Sequence, residues 1–226
     1  MSKHYETAQQ IDQHLREWFE KAPLDPTASA TLFSGRAWVS LSYHHSVLLL
    51  HRRRLILGSN PNYNYPDLNA HAVIVQSHLK CAESATQICR IYREIYFTNN
   101  VSFTWGALHV LFLAGLTFLH SLWTSKEVRE TCRRDVVTTC TSCTIVLVVM
   151  GERWSVAQPY RDMFNLLAEA TQAMLTESND VGGEHRMWQL PVMRRSDHMS
   201  ISGLLNGISG VGVDRSAEML LNDMVE

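Results

Sequence analysis

Residues 101–122 read VSFTWGALHVLFLAGLTFLHSL, and this stretch decides the fold of the chain. No Asp, Glu, Lys or Arg occurs between Glu94 and Lys126, and the most apolar part runs from Ala107 to Leu119. A helix that is apolar on every side is buried, either in a protein core or in a membrane. The apolar part is shorter than the ~20 residues of a membrane-spanning helix and contains His109, so it predicts a core helix.

A second uncharged run lies between Asp135 and Glu152. This run is shorter than the first and carries five hydroxyl side chains, on Thr138, Thr139, Thr141, Ser142 and Thr144. Short apolar runs are more often buried helices than membrane spans. We therefore expect no membrane contact, and a helical membrane-associated protein, which would partition with membranes, stays as an alternative.

The rest of the chain also predicts helices, from apolar residues at spacings of three, four and seven. The segments are 3–20, from Ser29 or Thr31 to about Leu57, from Asn69 to about Tyr96, from about Ser125 to Met150, and about Trp154 to Leu175. The first carries the apolar stripe Ile11, Leu15, Trp18 and Phe19. No useful length alternates with a period of two, so no strand is predicted. The expected fold class is all-α, an irregular multi-helix domain of about seven helices.

The core of this domain is predicted from the large apolar residues of the helices. Burying each such side chain stabilises the fold by roughly 1.5–3 kcal/mol, so the helices should pack together. The residues expected in or near the core are Trp38, Leu48, Leu79, Ile88, Phe112, Leu116, Leu147, Trp154 and Phe164.

The composition changes after Thr176, and we divide the chain there. Residues 1–176 form the helical domain, 177–213 a Gly/Ser-rich linker, and 214–226 a short acidic amphipathic helix. An apolar helix face among acidic residues suits docking in the groove of a coactivator or inhibitor protein. The docking residues are expected to be Ala217, Leu220, Leu221 and Met224. The alternative is that this helix packs back onto its own domain.

Composition limits the function classes. The chain has 226 residues, of which 46% are hydrophobic and 19% are charged, so it can bury a core and is not disordered. Its net charge of −2 predicts no direct nucleic-acid contact by this chain. Five cysteines and no secretory signal predict reduced thiols. Cys140 and Cys143 form a C-x2-C pair, but no second pair follows, so no metal site is expected.

The residues do not predict catalysis. Residues 207–211 lack the last glycine of a nucleophile elbow, and no phosphate-binding loop or His-Glu-x-x-His pair is present. His44 and His51 share a helix face but lack a third ligand. A helical enzyme of a biosynthetic pathway is the second alternative. It should need particular carboxylates, and the acids to test are Glu83, Glu94, Asp135 and Glu152.

Four segments, in order, resemble one known pattern. LSYHHSVLLLHR at residues 41–52, CAESATQI at 81–88, FLAG at 112–115 and MGERWSVA at 150–157 are similar to motifs of the fungal-specific regulatory domain. This is the middle homology region of binuclear zinc cluster transcription factors. The residues that carry the resemblance are Tyr43, His44, His51, Arg52, Cys81, Ala85, Gly115, Arg153 and Trp154.

The chain departs from this family in two ways. Arg53 stands where the family has Pro, so the helix should continue to Leu57. The six-cysteine zinc cluster is absent, and residues 1–176 resemble only the C-terminal part of the regulatory domain. No cofactor is therefore expected in this chain, and zinc is expected only in an upstream cluster.

The resemblance implies a regulatory fragment of a fungal transcription factor, located in the nucleus. Such a fragment would control transcription, for example of a metabolic or secondary-metabolite pathway, by ligand sensing or partner docking. The partners would be a coactivator or inhibitor protein, or a second copy in a homodimer. The chain is either a fragment, a truncated gene product or a relative that has lost its DNA-binding module. If it is a complete gene product, the loss of half the family domain would leave an apolar face exposed, and dimerisation or poor solubility would follow.

Overall fold

A computed structural model describes residues 2–22, 35–58, 68–99, 103–180 and 215–225, together with Gly203 and Ile208. These residues form eight α-helices and no strand, which confirms the all-α prediction. The helices are α1 Ser2–Lys21, α2 Arg36–Gly58, α3 Leu68–Asn99, α4 Trp105–Thr124, α5 Lys126–Cys132, α6 Val136–Arg153, α7 Gln158–Asp180 and α8 Arg215–Val225, with a 3-10 turn at Ser155–Ala157.

The apolar helix α4 lies at the centre of the fold. It packs against α2, α3, α5, α6, α7 and α8. Its start is fixed by Thr104, whose hydroxyl accepts a hydrogen bond from the Ala107 amide at 3.2 Å. Both α4 and α6 are long and apolar enough to cross a membrane, but other helices cover much of each, 72% of the apolar window in α4 and 50% in α6. This burial favours a core helix over a membrane span for α4.

Two helix boundaries differ from the predictions, and a third agrees with its prediction. The helix expected over 125–150 is two helices, because residues 133–135 form a turn that Asp135 N closes on Cys132 O at 2.8 Å. All three turn residues are charged and exposed, and the single-helix prediction was wrong there. Helix α7 continues to Asp180, past the expected start of the linker at 177, and most of 177–213 lies outside the described residues. Helix α2 passes Arg53 and ends at Gly58, as expected from the missing Pro.

Eight of the nine predicted core residues lie in or near the core. Leu48, Ile88, Phe112, Leu116, Leu147 and Phe164 are at most 1% exposed, and Leu79 and Trp154 pack against them partly buried. Trp38 is 41% exposed, and its prediction was wrong. It lies in the first turn of α2, and burial of that helix begins only at Leu41.

Helix α8 packs onto the domain. The side chains of Ala217, Leu220, Leu221 and Met224 are at most 2% exposed, and α8 contacts α4 and α2. This is the alternative in which the terminal helix packs back on its own domain. In this arrangement the four predicted docking residues are covered, because their apolar face is buried against α4 and α2.

Candidate functional site

The first two family-like motifs meet where α2 packs against α3. The Cys81 thiol of α3 lies 4.0 Å from the Leu48 carbonyl of α2, and His44 Nδ1 lies 3.5 Å from Ser84 Oγ. Ala85 is fully buried in the same interface. These motif residues therefore hold two long helices together.

His51 is the centre of a buried polar network that ties three helices together. Its Nε2 lies 3.3 Å from Asp12 Oδ1 of α1, and its Nδ1 lies 3.4 Å from Ser77 Oγ of α3. Lys80 of α3 donates a hydrogen bond to the other oxygen of Asp12. His51 and Asp12 are 5% and 7% exposed, so these contacts are largely shielded from water. The sequence singled out His51, but not the acid and the lysine that accompany it.

The charges in this network favour an ionised Asp12. Burial raises the pKa of the Asp12 carboxyl, but hydrogen bonds from Lys80 and His51 outweigh it and the pKa ends below its ordinary value. Burial lowers the pKa of His51 despite the raising effect of Asp12. The network thus joins a carboxylate to an ammonium group and an imidazole that resists protonation.

Ser77, His51 and Asp12 have the connectivity of a hydrolase relay, which bears on the enzyme alternative. Ser77 is 1% exposed, and its hydroxyl donates to the Val73 carbonyl of its own helix at 2.9 Å. A nucleophile must reach its substrate, and this hydroxyl is enclosed between helices. The arrangement therefore favours a structural role.

The other polar motif residues of α2 also face neighbouring helices. The Tyr43 ring stacks on Phe19 of α1 with centroids 4.5 Å apart and an interplanar angle of 18°. Burial, aided by the charge of Arg90, lowers the pKa of His44 to about 4. His44 is therefore neutral at pH 7, and it packs edge-on to Tyr43 at 5.0 Å.

Helix α1 buries a different face from the one predicted. Ile11 and Trp18 of the predicted apolar stripe are 42% and 48% exposed, whereas Asp12 is buried. The contacts of Asp12 and Phe19 with α2 and α3 orient the helix, and this turns Ile11 and Trp18 outward. Ile11 and Trp18 therefore form an exposed apolar pair on α1, whereas Leu15 is partly buried.

The five cysteines are free thiols, and burial disfavours the reactive thiolate form in four of them, Cys81, Cys132, Cys140 and Cys143. Burial raises the pKa of Cys81, and it raises that of Cys132 to about 11 and of Cys140 to about 12. Among the described residues, no group of three or more His, Cys, Asp or Glu side chains could hold a metal ion. Arg52 lies near enough to Cys81 to oppose the rise in its pKa.

Gly115 has a packing role that its motif did not reveal. A Cβ atom at this position would lie 2.6 Å from Phe164 Cε2 and 2.9 Å from Cys143 Sγ. Only a residue without a side chain lets α7 approach α4 this closely at that point.

Arg153 and Trp154 lie away from the other motif residues, at the corner where α6 ends and α7 begins. Together with Trp105, Ser155 and Val156 they line an open groove of about 640 Å³. Trp105 is the first residue of α4, and its indole is 40% exposed. No described acidic side chain pairs with Arg153, which is exposed at this groove.

Two buried polar atoms lie behind Trp105. Tyr160 Oη and His109 Nε2 have no hydrogen-bond partner among the described residues. Both rings pack edge-on to Trp105, with centroid distances of 6.0 Å for Tyr160 and 4.6 Å for His109. A buried polar group without a hydrogen-bond partner costs about 1–3 kcal/mol of folding stability, so such groups are uncommon in folded proteins.

A second buried histidine cluster was not found from the sequence. His78 of α3 stacks on His120 of α4 with centroids 6.2 Å apart, and both are at most 3% exposed. Burial and the neighbouring His120 lower the pKa of His78 to about 4. No local signal distinguishes these histidines, because their pairing depends on how α3 and α4 pack.

Comparison with known proteins indicates the class to which this helical domain is related. The chain is related to fungal transcriptional regulators, which confirms the resemblance. It is 27% identical over 186 residues to the positive regulator of purine utilization of Emericella nidulans, a match covering 76% of this chain and 17% of that protein. It is 28% identical over 116 residues to an uncharacterized transcriptional regulatory protein of Saccharomyces cerevisiae, covering 43% of this chain and 9% of that protein.

The chain thus spans less than a fifth of the length of either relative. No family model matches it, and no solved structure matches it. The relatives indicate the class of protein to which this chain is related. The contacts described above indicate what its individual residues do.

Proposed function

We propose that this chain is the regulatory part of a fungal transcription factor and acts in the nucleus. Its relation to two fungal transcriptional regulators, over 76% of its length in one case, is the observation that carries the proposal. Regulation would proceed by ligand sensing or by docking of a protein partner, while another module contacts DNA. The net charge of −2 supports the absence of direct nucleic-acid contact.

The exposed apolar pair of α1, Ile11 and Trp18, supports partner docking. Residues 11 and 18 lie two helical turns apart on one face, and both are more than 40% exposed. Apolar anchors at this spacing are typical of a helix that enters a partner's groove. The partner would be a coactivator or inhibitor protein, or a second copy of the chain.

We propose further that the chain has no enzymatic activity and needs no cofactor of its own. Enclosure of Ser77 in the His51 network supports this, because the group that most resembles a nucleophile is 1% exposed. The relation to purine regulation belongs to the Emericella protein. For this chain, control of a metabolic pathway is part of the proposal.

The test is a fusion of the whole chain to an unrelated DNA-binding module in a fungal host with a matching reporter. We expect reporter transcription to rise or fall several-fold relative to the module alone. Replacing Ile11 and Trp18 by Ser should abolish the effect if docking carries it. The matched control replaces Phe97 and Val137, which are 64% and 63% exposed on α3 and α6, by Ser.

Two outcomes would contradict the proposal. One is a fusion that enters the nucleus at a normal level and leaves transcription equal to that of the module alone. The other is a fluorescently tagged chain that sediments with membranes and needs detergent for release, which would favour the membrane alternative.

A further inference from the structure

The groove beside Trp105 has two aromatic walls from different parts of the fold. Trp105 begins α4, and Trp154 follows the end of α6. Two indoles that line one open groove provide flat apolar faces on which a planar ring can stack. The groove is open to solvent and has a volume of about 640 Å³.

The charges at the groove favour an anion. Arg153 is the one charged residue that lines it, and no described acid neutralises this guanidinium. The N-terminus of α4, which begins at Trp105, also lies at the groove, and helix N-termini carry partial positive charge. The C-terminus of α6 opposes this effect in part, although the Trp154 amide there donates to Met150 O at 2.9 Å.

Two rings pack against the indole of Trp105 from inside the domain. Tyr160 is fully buried, and its hydroxyl and His109 Nε2 both lack partners among the described residues. Both rings make edge-on contacts with Trp105, with centroid distances of 6.0 Å for Tyr160 and 4.6 Å for His109. These contacts hold the indole of Trp105 in place at the groove.

We infer that this groove binds a small planar aromatic molecule that carries a negative charge. Such a molecule would stack between Trp105 and Trp154 and place its anionic group on Arg153. The inference rests on the proposed function, because it names the effector class of a ligand-sensing regulator. It also gives Arg153, which is exposed, a role that helix packing does not supply.

The test uses the whole chain and three probes: 2-naphthoate, the uncharged 2-naphthalenemethanol, and the non-aromatic anion hexanoate. The chain contains six tryptophans, so the indole N–H signals in an NMR spectrum can be assigned by replacing them with Phe. We expect 2-naphthoate to shift the Trp105 and Trp154 signals and to bind about tenfold or more tightly than either other probe.

Matched variants separate the site from nonspecific binding. Arg153→Gln should weaken 2-naphthoate about tenfold and leave 2-naphthalenemethanol unchanged. Arg134→Gln removes an exposed charge from the turn between α5 and α6 and should change neither. Trp38→Phe, which alters an indole that is 41% exposed in the first turn of α2, should also leave binding unchanged.

The inference is overturned if 2-naphthoate shifts no groove signal, if it binds no better than its uncharged analogue, or if Arg134→Gln weakens it as much as Arg153→Gln. None of these three results changes what is expected of the fusion in the reporter assay. Selective binding with a silent reporter supports the site, and the proposed function is then the part that fails.

Discussion

Gly115 of α4 lies directly against the ring of Phe164 of α7, with space for a hydrogen atom but not for a methyl group. A Cβ at position 115 would come within 2.6 Å of Phe164 Cε2, and both residues are buried in the centre of the domain. The distance between α4 and α7 is therefore set by a residue with no side chain. Their packing also positions Tyr160, which lies one turn before Phe164 and contacts Phe112 at 4.9 Å.

Gly115→Ala should lower the free energy of unfolding by about 1–3 kcal/mol, since the added methyl group forces the ring aside in a close-packed core. Gly106→Ala is the matched control in the same helix, because its Cβ would meet nothing nearer than Thr104 Oγ1 at 3.8 Å. The control should be neutral or slightly stabilising, as Ala favours a helix over Gly. Urea unfolding of both variants measures the difference, and equal stabilities would show that α7 does not lie this close to α4.

Asp12→Asn should lower the free energy of unfolding by about 1–3 kcal/mol, because the amide cannot match the charge of Lys80. The variant Asp12→Asn/Lys80→Met should recover part of the loss, since neither charge then lacks its partner. Glu17→Gln is the control on α1. Glu17 pairs with Lys21 at 4.0 Å, and the two side chains are 45% and 80% exposed. Because this ion pair is exposed, the variant should change the free energy of unfolding by less than ~0.5 kcal/mol. Limited proteolysis should cut α1 of Asp12→Asn first. A loss in Glu17→Gln as large as that in Asp12→Asn would contradict the network.

Sequence patterns predicted most of the helices, but not the turn at 133–135 that separates α5 from α6, and they did not predict the contacts between helices. The apolar stretch that became α4 was predicted correctly because a helix apolar on every side has to be buried. Nothing local distinguishes Asp12 from Glu17 or Glu20, since its burial depends on Lys80, 68 residues later in the chain. The exposure of Trp18 has the same origin, because the contacts of Asp12 fix which face of α1 turns inward.

The residues that line the groove were also predicted only in part. The resemblance to the fungal regulatory domain pointed to Arg153 and Trp154, but not to Trp105, which joins them from another helix. Tyr160 and His109 have no motif at all, and only the packing of α7 on α4 brings their rings within 5.7 Å. Spacing along one helix predicts which residues share a face, and it does not predict which face of another helix they meet.

Acid should destabilise the domain through His78. The unfolded residue has a pKa near its ordinary value of 6.5, whereas burial and His120 lower the pKa in the folded state to about 4. Protons therefore bind the unfolded chain preferentially between these values, and stability falls as the pH drops from about 6.5 to about 4. The loss from this residue should reach about 3 kcal/mol. Glu127, Thr124 and His120 are its polar neighbours.

Urea unfolding at several pH values between 7 and 4.5 measures this effect. His78→Gln should flatten the dependence, although His44, whose pKa is also about 4, keeps part of it. His14→Gln, on the exposed side of α1, is the control and should leave the slope unchanged. A slope in His78→Gln equal to that of the unaltered chain would show that His78 titrates normally.

Substitutions in the terminal helix α8 test whether this helix packs on the domain or docks on a partner. Leu220 and Leu221 are fully buried against the domain, so Leu220→Ala/Leu221→Ala should lower the free energy of unfolding by about 4 kcal/mol or more, from the lost burial and the cavities left behind. Met219→Ala, in the same helix with 46% exposure, should change the free energy of unfolding by less than ~0.5 kcal/mol.

A different result is expected if α8 acts as a separate docking helix. The double variant then keeps its stability. Residues 200–226 fused to an unrelated DNA-binding module then drive transcription, and the same two substitutions abolish it. An isolated helix of 11 residues is marginal in water, so α8 must obtain its order from a surface, and these two measurements decide whether that surface is α4 or a partner.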